Sequence, residues 1–248
     1  EPGRKVDRQP DDVVTLEQAV SGEEVVRPDG RKLLLVATRV KELGEVCGLD
    51  DAFGKLLSRG DSILHRRFAP LCESAAPVPE DMVFMDIETC GLSNVPLFLI
   101  GAMVWHQGGF EVRQYLARTY AEEAAVIGAF ADTCRGRRVL VTFNGKSFDL
   151  PFIRTRAIAT GVPFGTDAAH LDLLHESRRV WRDVLPDCRL QTLESRVCGR
   201  DRHDDIPGAE IGDAYHAFVR SGNARQIAQI LQHNVLDLVT LADIMIRL

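Results

Sequence analysis

Hydrophobic and polar positions along the chain fall into two regimes, divided at a Pro-punctuated stretch, ESAAPVPED, over 73–81. Before it the patterning is modest. Residues 1–12, EPGRKVDRQPDD, are polar and predict a frayed start. TLEQAVSG predicts a short helix capped by Thr15, RPDG a turn, and RKLLLVATRV a strand. The main boundary falls at the Pro-rich stretch, with an N-terminal accessory segment over 1–80 and a second domain over 81–248. Whether the segment covers a sheet edge or guides a substrate is open.

After the boundary the pattern sharpens. MVFMDIET predicts a strand, LFLIGAMVWHQ a second and FEVRQYLA a third, with GG turning between the last two. Such tight links predict an antiparallel meander. AEEAAVIGAFADTC has the spaced apolar positions of a helix. RRVLVTFNG predicts a fourth strand. SFDLPFIRTRAIATG predicts a helix with Pro151 in its first turn, where proline is tolerated. HLDLLHE predicts a fifth strand, helical stretches fill 176–200, and NARQIAQILQHNVLDLVTLADIMIRL predicts a long terminal helix. The order βββαβαβα describes an α/β fold, a mixed sheet of three antiparallel strands followed by parallel strands, with helices on its faces.

Against this background, four acids stand out. In VFMDIETCGL, Asp86 and Glu88 interrupt an otherwise apolar strand. Residues two apart on a strand share a face, so the two carboxylates project together, roughly 7 Å apart along the strand. Phe84 shares their face, while Val83, Met85 and Ile87 line the other. The pair alone does not separate a solvated strand end from a site. In VTFNGKSFDL, a strand ends in the turn dipeptide Asn144-Gly145, and Asp149 falls at a helix start, where the helix dipole favours a carboxylate. Asp149 or Ser147 could equally be a simple cap. In QHNVLDLVTLAD, His233 and Asp237 are four apart and share one helix face, with Asp237 close to the apolar side, where a lone charge is costly; taken alone, the segment reads as an exposed Asp-His pair.

Together, the three segments can bring four carboxylates to one point above the sheet. Like charges that close raise each other's pKa and cannot all ionise unaided. Two divalent cations would neutralise them, and hard oxygen ligands suit Mg²⁺ or Mn²⁺. A pair of such ions clamps the attacking and leaving oxygens of a phosphoryl displacement.

Composition narrows the partners. The 248 residues are 45% apolar with a net charge of −6, which supports a packed core and argues against a broad basic face for duplex DNA. It does not exclude nucleic acid, since bound metals neutralise phosphates locally. The six cysteines show neither a CxxC pair nor a zinc spacing and predict free thiols and a cytoplasmic location. No apolar run approaches a membrane span, and no membrane partner is expected.

MDIETCGL, the NGKSFDLPFI block and the HNVLD block resemble the three motifs of the DEDD superfamily of 3′–5′ exonucleases, which has the ribonuclease H-like fold. More narrowly, FLIG, FNGKSFDLPFI, HLDLLH, CRLQTLE, DDIPGAEI and HNVLDLVTLA are similar to the YprB-type ribonuclease H-like domain, over residues 82–246. The resemblance implies that Asp86, Glu88, Asp149 and Asp237 hold two Mg²⁺ or Mn²⁺ ions. It also implies hydrolysis at the 3′ end of single-stranded DNA or RNA, releasing 5′-mononucleotides. Thr89, Gly91 and Leu92 match the stretch that packs on the 3′-terminal nucleotide, and Asn144 and Lys146 are further candidate substrate contacts. The superfamily divides by the residue that orients or deprotonates the water, either His five positions or Tyr four positions before the last Asp. This chain has the His of one branch at the spacing of the other, as His233. His233 is therefore a catalytic candidate, as general base or as a group that positions water. Cys90 stands where many relatives have Thr.

Other residues read as structural. Asp172 reads as a hydrogen-bonded strand residue, Asp204 and Asp205 as loop residues that cap or else line the substrate channel, His170 and His175 as satisfied side chains, and Trp105 and Trp181 as core. Two other functions are distinguishable from the exonuclease: a structure-specific endonuclease, and a non-catalytic module that binds nucleic acid or protein. Four mutually repelling carboxylates argue against the last.

Overall fold

A computed structural model of the chain describes residues 13–46, 48–59, 77–93 and 95–248. The polar start at 1–12, Cys47, Cys72 and residues 73–76 of the Pro-rich stretch lie outside the described residues.

The described residues form one seven-stranded sheet in the order β1-β2-β5-β4-β3-β6-β7. The strands are β1 (Glu23–Val26), β2 (Lys32–Arg39), β3 (Met82–Thr89), β4 (Leu97–His106), β5 (Gly109–Leu116), β6 (Val139–Thr142) and β7 (Ala169–Asp172). β1, β2, β5, β4 and β3 pair antiparallel, and β6 and β7 then add in parallel. The mixed sheet with parallel strands added to an antiparallel meander is the fold class predicted from the pattern. β1 and β2 extend the same sheet beyond β5. β1 has no counterpart in the predicted elements because EEVV is an exposed edge strand with no alternating apolar face.

The helices are α1 (Leu16–Ala19), α2 (Leu49–Ser58), α3 (Glu123–Cys134), α4 (Asp149–Thr160), α5 (Leu173–Trp181), α6 (Leu190–Leu193), α7 (Ile211–Ser221) and α8 (Arg225–Arg247). α6 runs into a π-helical turn, Glu194–Cys198. One core cluster joins α3, α4 and α7 to Val83, Met85 and Ile87 of β3. The other joins α2, α5 and most of α8 to Met82 and Phe84. Within it Phe53, Phe84, Trp105 and Phe110 pack ring against ring. The alternation along β3 therefore turns Asp86 and Glu88 toward the face that α8 covers.

Three local differences from the predicted elements have clear causes. The hairpin between β4 and β5 turns at Gln107-Gly108, not at Gly108-Gly109, because both central residues adopt left-handed backbone and Gly109 pairs with His106. The strand predicted over HLDLLHE stops at Asp172, whose carboxylate accepts from Leu174 N and caps α5. Helix α2 carries no element in the sequence reading, although its buried face of Leu49, Phe53 and Leu56 closes one side of the sheet. Cys90, Cys134, Cys188 and Cys198 are free thiols. Among the described residues no helix is long and apolar enough to cross a membrane.

Candidate functional site

Three segments far apart in sequence meet at the C-terminal end of β3. The first is β3 itself, where the register against β4 shifts between Glu88 and Thr89, a bulge that ends regular pairing beside the two acids. The second is the turn from β6 into α4. Its backbone folds back on itself because Asn144 adopts left-handed backbone and Gly145 lies against Thr142, where a Cβ would come within 2.4 Å of the threonine Oγ1. Asp172 holds this turn by accepting from Asn144 N at 2.8 Å and Lys146 N at 3.0 Å, the hydrogen-bonded role expected of it. Asp149 then opens α4, and its carboxylate accepts from its own backbone N–H and from the backbone of Ile87. The third segment is α8, which carries His233, Asn234 and Asp237.

The structure thus brings Asp86, Glu88, Asp149 and Asp237 together. Glu88 and Asp149 are buried, and Asp86 and Asp237 keep a narrow opening to solvent. Burial pushes the carboxyl groups of Asp86 and Glu88 well above the usual carboxylate range, and the negative charges of their neighbours push further. Burial likewise pushes Asp149 up to about 7, against the hydrogen bonds from its own backbone and from Ile87. Asp237 is raised by burial and pulled back by Arg202 and His233.

His233 lies in this cluster. Its Nε2 is 3.5 Å from Asp237 Oδ2, and its Nδ1 is 2.8 and 3.0 Å from the two oxygens of Asp205. Asp205, read from the sequence as a loop residue, thus bridges His233 and Arg202. Arg202 Nη2 is 2.5 Å from Asp237 Oδ1. Asn234 Nδ2 donates to Asp86 Oδ2 at 2.8 Å. Arg202, Asn234 and the buried Glu194 behind Arg202 were not foreseen. Arg202 sits in the polar run RDRHDD, which looks like a solvated loop. Asn234 had a usable signal: a polar side chain next to His233 on an otherwise apolar helix face.

The candidate substrate residues lie on the loop after β3 and on the turn before α4. Thr89 Oγ1 donates to Gly91 O at 2.6 Å and folds the loop after β3, leaving Leu92 86% exposed at its tip. Leu92 faces the first turns of α4 across a cleft of about 230 Å³ lined by Ser147, Phe148, Pro151 and Phe152. The side chains of Asn144 and Lys146 are exposed at the neighbouring turn. His170 is bound to Thr142 Oγ1 at 2.8 Å, and burial holds it down at about 4, so it is neutral and structural.

An all-carboxylate donor set fits a hard divalent cation by its chemistry. Among the described residues, no three His, Cys, Asp or Glu side chains already surround one point as ligands. Asn234 and Arg202 each hold one oxygen of the set.

The chain is 30% identical over 173 residues to the uncharacterized protein YprB of Bacillus subtilis (strain 168). That alignment covers 68% of this chain and 42% of YprB, so the chain spans less than half of that relative. Its fold is similar to that of the family B DNA polymerase from the hyperthermophilic archaeon Pyrobaculum calidifontis, at 19% identity and a TM-score of 0.55, covering 68% of this chain and 24% of the polymerase. The profile of the RNase_H superfamily matches residues 83–248, which takes in β3, α4, α8 and all four acids of the cluster; the chain belongs to the RNase_H superfamily.

Proposed function

We propose that the domain is a metal-dependent 3′–5′ exonuclease that hydrolyses the terminal phosphodiester of single-stranded DNA or RNA and releases 5′-mononucleotides. The observation that carries this reading is the meeting of Asp86, Glu88, Asp149 and Asp237 in one largely buried cluster, whose carboxyl groups are pushed upward by burial and, for Asp86, Glu88 and Asp149, by the charges of neighbouring acids. A fold gains nothing in stability from such a set, whereas a site for cations requires it. The four acids would hold two Mg²⁺ or Mn²⁺ ions, which when bound activate water and stabilise charge on the phosphoryl oxygens.

The remaining residues have roles that follow from their contacts. Asp205 orients His233, whose Nε2 faces Asp237 and would accept or steer the proton of the attacking water. The cleft between Leu92 and Phe148 combines apolar Pro151 and Phe152 with polar Ser147, Thr155 and Arg156 and adjoins the residue before Asp149, which suits the stacking of an unpaired terminal base. Leu92 lines its wall, and Thr89, Gly91, Asn144 and Lys146 would contact the strand beside it. The cytoplasm, with its free divalent ions and reduced thiols, is the compartment this chemistry suits.

The test is degradation of 5′-labelled single strands, DNA and RNA, with Mn²⁺, Mg²⁺ or EDTA, beside Asp86→Ala. A metal-dependent ladder shortening from the 3′ end and absent in the variant is the expected result. Internal cuts would replace the reading with an endonuclease. Unchanged substrate with either ion, from a folded protein that still binds the strand, would replace it with a non-catalytic binding module.

A further inference from the structure

Arg202 stands between the carboxylate cluster and the loop that follows the π-helical turn, and its charge is committed on three sides. Nη2 lies 2.5 Å from Asp237 Oδ1, Nε 2.5 Å from Glu194 Oε2, and Nη1 3.2 Å from Asp205 Oδ2. Its side chain is 7% exposed, so these partners replace water around the guanidinium.

Glu194 is not one of the four acids. It is buried behind Arg202, where its other oxygen accepts from Arg200 Nε at 3.0 Å and Thr240 Oγ1 at 3.0 Å. Thr240 lies on α8, one turn past Asp237. The guanidinium is therefore anchored to the same helix that presents Asp237, and it is aimed at that residue. A purely structural ion pair would be complete with Glu194 alone. Here the planar fork is shared, one edge on Glu194 and another on a member of the cluster.

We infer that Arg202 is a built-in counter-ion of the carboxylate cluster, held against Asp237 by Glu194 and Asp205, and that it weakens the cluster's grip on divalent cations. The inference rests on the reading of the four acids as metal ligands. A fixed positive charge beside one of those ligands repels an incoming dication, and the repulsion is strong where water is excluded. The same charge lets the carboxylates fold together before any ion arrives. Arg202 is a positioning residue in this account: it sets which oxygen of Asp237 is presented and how tightly the cluster holds a cation.

The experiment is calorimetric titration of Mn²⁺ into the full chain at pH 8, for the native sequence, Arg202→Lys, Arg202→Met and the double variant Glu194→Gln/Arg202→Met. Methionine keeps the length of the stem without the charge. The double variant also removes the buried carboxylate that the single change leaves with one cation fewer, so a folded protein without the Arg202 charge is still available if Arg202→Met fails to fold. The Kd for Mn²⁺ is expected to fall at least about tenfold in the methionine variants and to stay closer to the native value in Arg202→Lys. Uptake by the methionine variants but not by the native chain supports the inference in stronger form. Native uptake with equal or weaker binding in the variants overturns it and leaves the metal reading standing. No uptake by any of the four proteins overturns both.

Discussion

Asn234 reaches from α8 to β3 and donates its Nδ2 to Asp86 Oδ2 at 2.8 Å, tying the last segment of the cluster to the first. The amide is itself fixed. Gln114 Nε2, fully buried in the sheet, donates to Asn234 Oδ1 at 2.9 Å and to Leu231 O at 2.8 Å. Gly101 makes room, since a Cβ there would stand 2.1 Å from Asn234 Oδ1. Asp86 therefore has one oxygen held by a relay through β5 and α8.

That relay makes Asn234 a test of the site. Asn234→Ala strips a partner from Gln114 and from Asp86. It should cost about 1–3 kcal/mol in urea denaturation and lower cleavage by about 10–100-fold. Gly101→Ala removes no polar group yet forces Asn234 aside, and it should lower cleavage in the same direction. Native rates in both variants would exclude the amide from the site.

The raised carboxyl groups set the sign of the pH dependence. Asp86, Glu88 and Asp149 keep protons in the folded protein at pH values where the unfolded chain, with ordinary carboxylates, has released them. Their contribution to stability is complete below about pH 4 and is lost as pH rises, up to about 7 for Asp149. The loss is up to about 1.4 kcal/mol for each pH unit and each titrating group. In EDTA the Tm should therefore fall between pH 5 and pH 7.5. Added Mn²⁺ should raise it more at pH 7.5 than at pH 5. A Tm that climbs over that range in EDTA would show that the cluster does not dominate the titration.

Asp149→Asn separates stability from activity. The substitution removes a buried charge that Asp172 and Asp237 repel, and the amide can still accept from Ile87 and from its own backbone. In EDTA at pH 8 the variant should melt above the native protein, and at pH 5, where the native group is protonated, the difference should shrink. Cleavage should be lost. A variant that is less stable at pH 8 and still cleaves would remove Asp149 from the metal-binding set.

How far the sequence was legible follows a physical line. β3, β4 and β5 were visible because each carries a strong β pattern bounded by turn residues, and α8 because its apolar positions keep a helical period over 23 residues. Asp86, Glu88, Asp149 and Asp237 were singled out because their three segments stand together in the order of a known set of motifs, while each segment alone also reads as structural. Arg202 was not, because RDRHDD is polar throughout and nothing in it marks one charge as buried, and Glu194 was not, because polar and apolar positions alternate irregularly around it and its charge breaks no pattern. The joining of β2 to β5 was not legible either, since a pairing between residues some 80 positions apart leaves no local trace. Asp205 was named as a loop residue, and only the folded geometry puts its two oxygens on His233.

His233 and Asp205 supply the last prediction. With Nδ1 2.8 and 3.0 Å from the Asp205 oxygens, the ring's other nitrogen is the one turned to Asp237. A ring held in this way serves either as a base or as a hydrogen-bonding guide for water, and the two roles differ in what they lose on substitution. Replacing His233 by Ala removes both and should lower kcat by about 10²–10⁴-fold. Replacing it by Gln keeps a hydrogen-bonding side chain but no base, so recovery of most of the rate in His233→Gln would assign the ring to positioning alone. Asp205→Asn leaves the ring in place with a weaker partner and should lower kcat by about 10–100-fold while KM holds. Single-turnover rates with saturating Mn²⁺ and a 5′-labelled strand measure all three variants. A rise in KM at constant kcat in Asp205→Asn would move Asp205 from orienting His233 to holding the strand.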